Sequence, residues 1–538
     1  GALIKSEDYF HSYPHCWRSK TPIIFRATDQ WFCSVKDFRD MALSAIKAVE
    51  WIPKAGENRI YAMVESRTDW CISRQRIWGV PIPAFYCEKC NKLHLNKTII
   101  NHIAGFVKTL GTNVWWEKIA SELLPGNYKC DCGSSEFKKE TDTMDVWFDS
   151  GSTHHSVVDR YEELKDIEDV MYLEGSDQHR GWFQSSLLTS IAMKAKAPYK
   201  HVLTHGFVLD ENGRKMSKSL GNVVDPEKII SEYGADILRL WVASTDYSSD
   251  MRIGQNMLKQ LAEVYRNVRN TLRFILGNLC DYDESKSSIT YDDLWAVDKF
   301  ALNKLTLVKE EIDKTFSNYE FYKFYQILQN YCTTDLSGFY FDVVKDRLYA
   351  GDIPSRTSVQ LVLAEHLKAL LPIVLPVLPH LAEDVWRHYP KGMNKEYESV
   401  LFSKSYKLNT TYLNDEISND FKAVLQIKES VFKALEIARA EKKIGKSLEA
   451  KVLLHVKDPG IFATLRKYEN ELPTIFIVSQ ISLNDKKFDV SESLSSLSNE
   501  LCDVFVALAS GEKCPRCWKV TTDIGADSKH KTICRSCA

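Results

Sequence analysis

Gly213-Arg214-Lys215-Met216-Ser217-Lys218-Ser219-Leu220-Gly221-Asn222 sets two lysines, an arginine and two serines in one short loop with a glycine near each end. Glycine permits tight turns, and gathered cations and hydroxyls suit a polyphosphate. With ATP attacked at its α-phosphorus, Lys215, Ser217, Lys218 and Ser219 would bind the nucleotide. Lys215 and Lys218 would balance the charge growing on the pyrophosphate, an electrostatic role suited to a mobile loop. A basic pentapeptide taken alone is more often a solvated turn, so its surroundings decide. A rival phosphate loop, Ile444-Gly445-Lys446-Ser447, fails the Walker pattern because Ala440 stands where the first glycine is needed, and it is assigned no nucleotide.

Outward from this loop the chain divides in texture. Across 1–250, short apolar runs such as Val170-Met171-Tyr172-Leu173 and His201-Val202-Leu203-Thr204 alternate with glycine- and proline-marked turns, which predicts mixed α/β structure. From Leu258, apolar residues recur at steps of three or four (Leu261, Val264, Val268, Leu272, Ile275, Leu279), while Arg266, Arg269 and Arg273 face elsewhere. A helical domain begins there, with helices expected over 302–317, 321–345 and 358–371 and their tyrosines assigned to core packing. After a polar stretch at 409–419, a helix over 421–443 leads to a strand over 451–456, and 511–538 forms a separate small unit.

The 538 residues, 44% hydrophobic, can fill several cores, and the length predicts roughly three or four domains. A net charge of −2 excludes a uniformly basic nucleic-acid coat and leaves room for local basic surfaces. Eight of the fourteen cysteines sit in close pairs suited to metal, and no charged-then-apolar leader opens the chain, so a reducing, cytoplasmic location is expected. The most apolar stretch, 367–382, is cut by Pro372, Pro376 and Pro379, so no membrane span is expected. The opening Gly1-Ala2-Leu3-Ile4 lacks a start methionine, which suggests a chain beginning partway through a longer protein.

Tyr172-Leu173-Glu174-Gly175-Ser176-Asp177-Gln178-His179-Arg180-Gly181-Trp182-Phe183 combines acidic, amide and aromatic groups around two glycines at a strand-to-helix junction, where backbone can approach a ligand. Asp145-Val146-Trp147-Phe148-Asp149-Ser150-Gly151 adds another tryptophan, and Ile72-Ser73-Arg74-Gln75-Arg76-Ile77-Trp78-Gly79 adds arginines that either serve the same region or fix loops. A tryptophan taken alone packs in a core about two times in three.

Cys514, Cys517, Cys534 and Cys537 form C-x2-C, sixteen residues, then C-x2-C, a spacing for four thiolates around one Zn²⁺. Four ligands leave no open position, so this metal is structural, the staple of a tail too small to bury a core. The tail is locally basic, which suits a nucleic-acid contact, and Trp518 either stacks on a base or packs. Cys87, Cys90, Cys130 and Cys132 make a second, looser zinc candidate. Cys16-Trp17-Arg18-Ser19 has serine where a second cysteine would be needed, so no zinc is expected there.

The loop, preceded by His201 to Phe207 and followed by Gly234-Ala235-Asp236-Ile237-Leu238-Arg239-Leu240-Trp241, resembles the K-M-S-K-S signature of class I aminoacyl-tRNA synthetases in its setting. The other segments and the Cys-rich tail look most like bacterial isoleucyl-tRNA synthetases, whose valyl and leucyl relatives share much of the layout. The resemblance implies that Glu174, Gly175, Asp177 and Gln178 hold the adenylate and that Trp147 and Trp182 line the isoleucine pocket. It implies ATP with Mg²⁺, isoleucine and tRNA(Ile) as partners, zinc as a structural metal, and a monomer. The lysines are expected to face the phosphates across a cleft floored by Glu174 and Asp177.

The implied fold is a partial Rossmann-like α/β catalytic region, an all-α anticodon-binding helical bundle and a small zinc-binding unit. Its expected divisions are the end of a connective insertion (1–86), a zinc-ribbon-like insertion (87–140), the second half of the catalytic domain with the loop (141–250), the anticodon-binding bundle (251–410), an α/β junction (411–510) and the tail (511–538). His11-Ser12-Tyr13-Pro14-His15-Cys16-Trp17-Arg18 resembles the return from the editing domain. Neither that domain nor a His-Ile-Gly-His signature is in the sequence. On that ground the isolated polypeptide is expected to fold in part, bind tRNA weakly and fail at pyrophosphate exchange. A non-catalytic tRNA-binding remnant is the alternative.

Overall fold

Glu50–Ile52, Met171–Gly175 and His201–His205 form a parallel three-stranded sheet with His201–His205 in the middle. His201 pairs with Glu50 on one side and with Met171 on the other, and His205 ends level with Gly175. Val202, Leu203 and Thr204 are buried in succession, as a central strand covered on both faces requires. Helices Arg39–Ala48, Ala55–Glu65 and Trp182–Lys194 supply the cover, closing a core of Ile46, Ile60, Val64, Phe183, Leu187 and Val202. The computed structural model describes residues 2–16, 19–393, 395, 397–404, 406–486 and 493–538. Trp17 and Arg18, part of the expected return segment, lie outside them.

The helix Trp182–Lys194 is buried without a break from Phe183 to Ile191, so its Ser185, Ser186, Thr189 and Ser190 sit inside the protein. Small side chains let another helix approach. At Gly151, the last residue of Val146–Gly151, a Cβ would lie 2.9 Å from the carbonyl carbon of Ser185. Thr189 donates to the Gly151 carbonyl at 2.7 Å.

The insertion folds around its own core. Leu93–His94, Phe85–Cys87 and Phe137–Lys139 form an antiparallel sheet packed through Phe85, Trp115, Leu123 and Phe137 against the helix Lys97–Leu110.

The chain separates into two compact units, 1–206 and 207–538, so the division falls inside the expected 141–250 segment. The second unit opens with Val208–Leu209, paired in parallel with Met251–Arg252. Then come the helices. Gln255–Asn278 buries the predicted Leu258, Leu261, Val264, Val268, Leu272 and Ile275 and exposes Arg266, Arg269 and Arg273. Ala296–Ser317 starts before the expected 302. Phe321–Asn330 runs through a wider-wound stretch, Tyr331–Tyr340, into Phe341–Ala350. Ile353–Val374 carries Pro372 in its last turn. It is long and apolar enough to cross a membrane, but 78% of its most apolar window is buried, which marks a core helix.

Beyond the bundle, Asp415–Ala440 lies against a four-stranded sheet ordered Gln480–Asn484, Ala450–Val456, Cys502–Leu508, Ser495–Ser498. Ala450–Val456 alternates buried and half-exposed residues, the period-two signature of a strand with one covered face.

Candidate active site and metal centres

In the first unit, Glu174 and Gly175 end the strand Met171–Gly175, and Asp177 and Gln178 occupy the 3₁₀ turn Ser176–Arg180 before the helix Trp182–Lys194. The carboxyl end of a parallel strand leading into a helix N-terminus is where open α/β sheets place ligands. Glu174 and Asp177 are exposed and have no ion pair among the described residues. Gln178 orders the turn: its Oε1 accepts from the Trp182 N–H at 3.0 Å and its Nε2 donates to Asp177 at 3.1 Å.

Two glycines leave room for these side chains where they stand. A Cβ on Gly175 would meet the Asp177 carboxylate at 2.7 Å, and one on Gly181 would meet Gln178 at 2.5 Å and Trp147 at 3.1 Å. Trp147, at 39% exposure, borders a cavity of about 800 Å³ shared with Arg67, Arg74, Gly181 and Gln184. Trp182 instead stacks on Tyr172, with ring centroids 4.0 Å apart, and donates its indole N–H to Ser150 at 3.0 Å. The structure thus brings exposed Trp147 and half-buried Gln178 together over buried Gly181, with Trp182 half-buried beside them.

Trp147 is aimed by residues that sequence reasoning missed. Asp145 caps its helix by accepting from the Trp147 N–H. It also accepts the indole N–H of Trp70 at 3.1 Å and pairs with Arg74 at 3.0 Å. Arg74 also donates to the Cys71 and Ser73 carbonyls, so it fixes loops. Asp149, one turn along, is pushed up to about 6 by burial and by the Asp145 charge. The signal for Asp145 was present, since an aspartate directly before a helix is an N-cap pattern.

In the second unit, Lys215 and Lys218 are exposed, and neither side chain has a partner among the described residues. Met216 between them is half-buried against the helical core, and its sulfur accepts from the Val224 N–H at 3.4 Å. Ser217 accepts from the Leu220 N–H at 3.3 Å, capping a 3₁₀ turn that contains Ser219. The Ser219 side chain lies outside the described residues. Gly213 and Gly221 both have positive φ, 77° and 64°. The rejected Walker-like loop is closed by the protein's own carboxylate: Glu449 accepts from the N–H groups of Gly445 (2.7 Å) and Lys446 (3.3 Å).

Both cysteine sets converge, each with its four sulfurs within 4.8 Å of one another. Cys87 and Cys132 sulfurs stand 3.6 Å apart, Cys90 and Cys130 3.5 Å, and Cys517 and Cys534 3.6 Å. A disulfide would need about 2.05 Å. The edge of a ZnS₄ tetrahedron with bonds of about 2.3 Å is about 3.8 Å, so both donor sets fit Zn²⁺. Cys514, Cys534 and Cys537 also form the tail's small core with Ile524, Ile533 and Ala350. Trp518 is 52% exposed, with the Lys446 ammonium 4.4 Å from its ring centre.

Residues 11–254 match the family described as tRNA synthetases class I (I, L, M and V), 298–454 the anticodon-binding domain of tRNA ligase, and 511–538 the zinc finger found in FPG and IleRS. The isoleucine–tRNA ligase of Caldanaerobacter subterraneus subsp. tengcongensis is 48% identical across all of this chain and 58% of its own length. That of Gloeobacter violaceus is 49% identical across all of this chain and 55% of its own. The chain therefore spans just over half the length of these relatives. A solved methionyl-tRNA synthetase of Mycobacterium tuberculosis, in complex with methionyl-adenylate, is 16% identical, with a TM-score of 0.47 over 69% of this chain and 65% of that one; at that level it bears on neither fold nor function.

Proposed function

Because this chain belongs to the class I aminoacyl-tRNA synthetases, on their isoleucine branch, we propose that it works as part of an isoleucine–tRNA ligase. In the first step the isoleucine carboxylate attacks the α-phosphorus of Mg²⁺-bound ATP, forming a carboxyl–phosphate bond as the bond to pyrophosphate breaks. In the second, a terminal ribose hydroxyl of tRNA(Ile) attacks the adenylate carbonyl and AMP leaves. Lys215 and Lys218 neutralise the departing pyrophosphate, with Ser217 and Ser219 beside them. Glu174, Gly175, Asp177 and Gln178 hold the adenylate, and Trp147 and Trp182 form the apolar wall for the isoleucine side chain. The bundle and the zinc-stapled tail hold tRNA. The two Cys₄ sets each take one structural Zn²⁺, the protein acts as a monomer, and its place is the cytoplasm, where translation uses the product.

The observation that carries this reading is the pair of ammonium groups, Lys215 and Lys218, with no partner among the described residues, on a loop anchored between them by the Met216 side chain. Cations left without protein partners on an ordered loop are available to a polyanion. An apolar wall separates isoleucine from valine by one methylene, worth about 1–3 kcal/mol, a limit for which isoleucine-activating enzymes are themselves the standard example. The full-length protein carrying this sequence should therefore support ATP–pyrophosphate exchange with isoleucine, roughly 10- to 200-fold less efficiently with valine, and negligibly with leucine. Preference for valine or leucine would move the assignment to another branch of the family.

A further inference from the structure

The phosphate loop is held shut by two side chains outside its basic core. Asp210, just after the strand Val208–Leu209, has a side chain only 9% exposed and takes four hydrogen bonds. Its Oδ1 accepts from the N–H groups of Asn212 (3.0 Å) and Arg214 (2.8 Å), and its Oδ2 from Arg214 Nε (3.1 Å) and the Asn222 amide (2.9 Å). Asn222, twelve residues later, spans the loop. Its Nδ2 also donates to the Lys215 carbonyl at 3.2 Å, and its Oδ1 accepts from the Ser217 N–H at 2.9 Å. One amide therefore ties the backbones of both residues flanking Met216 to one buried carboxylate. The Asn222 amide, followed by the Arg214 N–H, holds the Asp210 carboxyl down at about 2, so the carboxylate stays charged at any working pH.

We propose that Asp210 and Asn222 are positioning residues for pyrophosphate departure: a carboxylate–amide clasp that fixes the backbone of Lys215 and Ser217, and through it the approach of Lys215 and Lys218 to the phosphates. This rests on the function proposed above. The chemistry selects these two residue types. Asn222 must donate and accept at once, which aspartate cannot do, and Asp210 must accept from four donors, which asparagine cannot do without turning a donor toward Arg214. Neither side chain needs to touch the nucleotide. The clasp acts by removing the reorganisation the loop would otherwise undergo as charge develops.

The test is isoleucine-dependent ATP–pyrophosphate exchange by the full-length protein and its Asn222→Ala and Asn222→Asp variants, expressed per active site by burst titration, with thermal melting alongside. A positioning role predicts kcat per site about 30-fold lower in both variants, with the KM for isoleucine within about twofold and melting nearly unchanged. Fewer competent sites with unchanged kcat per site would overturn the proposal, because that is a folding defect. So would kcat and KM equal to those of the unsubstituted protein. If the unsubstituted protein showed no isoleucine-dependent exchange, the functional reading itself would fall.

Discussion

Cys514 is fully buried and is one of four sulfurs close enough to share a single ion. Serine in its place offers a hard, protonated oxygen to a metal that favours thiolate, in a tail whose small core is made of the cysteines themselves. Cys514→Ser should lower bound zinc from two to one per chain by elemental analysis and open 511–538 to protease, leaving the insertion's zinc in place. Two zinc ions retained would contradict the assignment. At this scale the thiols were legible because C-x2-C spacing nearly fixes its own geometry. Other residues were not. Nothing in the motif says that Tyr172 covers one face of Trp182 while Trp147 stays at the surface. Nor does a sequence announce that Asp210 and Asn222 share a hydrogen bond, since only the folded turn brings them together.

Among the helices, His366 carries a consequence for pH. It is fully buried on Ile353–Val374, stacked with Tyr331 and Tyr340. Its Nδ1–H donates to the Val362 carbonyl at 2.7 Å and its Nε2 accepts from the Tyr331 hydroxyl at 2.8 Å. Burial lowers its pKa to about 4, against about 6.5 for an unfolded histidine. Below pH 6.5 the unfolded chain takes up a proton that the native bundle refuses. The stabilising contribution is therefore whole above 6.5 and drains away as pH falls toward 4, by roughly 3 kcal/mol in all. Urea titrations from pH 7 to 4 should show this slope, and His366→Asn should flatten it; the same slope in both would exclude His366 as its source.

The helices themselves were legible from their apolar spacing, but their edges were not. The expected helix starts at 302 and not at 296 because Asp298, polar and buried, breaks the apolar pattern ahead of it; Asn303, also polar and buried, falls inside the expected range. Their partners are distant in sequence: Arg347 and Tyr340 for Asp298, and the Asn414 carbonyl and Ser418 for Asn303. Pro372 was expected to help break the apolar stretch, yet it sits in the last turn of Ile353–Val374, where the helix ends two residues later.

Across the whole molecule, the loop with Lys215 and Lys218 groups with the helical unit, and the segment around Glu174 with the sheet unit. Sequence texture put both in one α/β region. The physical reason for the difference is local: Val208–Leu209 pairs with Met251–Arg252, and Met216 packs onto the bundle core, so the loop's contacts run forward along the chain. Both Cys₄ sets are self-contained within their units, which is why spacing alone was enough to find them.

The central claim is that Lys215 and Lys218, which have no partner among the described residues, exist to meet the pyrophosphate of ATP. The most direct measurement is isoleucine-dependent exchange by full-length protein carrying Lys215→Ala and Lys218→Ala together. The account predicts a kcat at least about 100-fold lower, with isoleucine binding retained; exchange at the unsubstituted rate would contradict it.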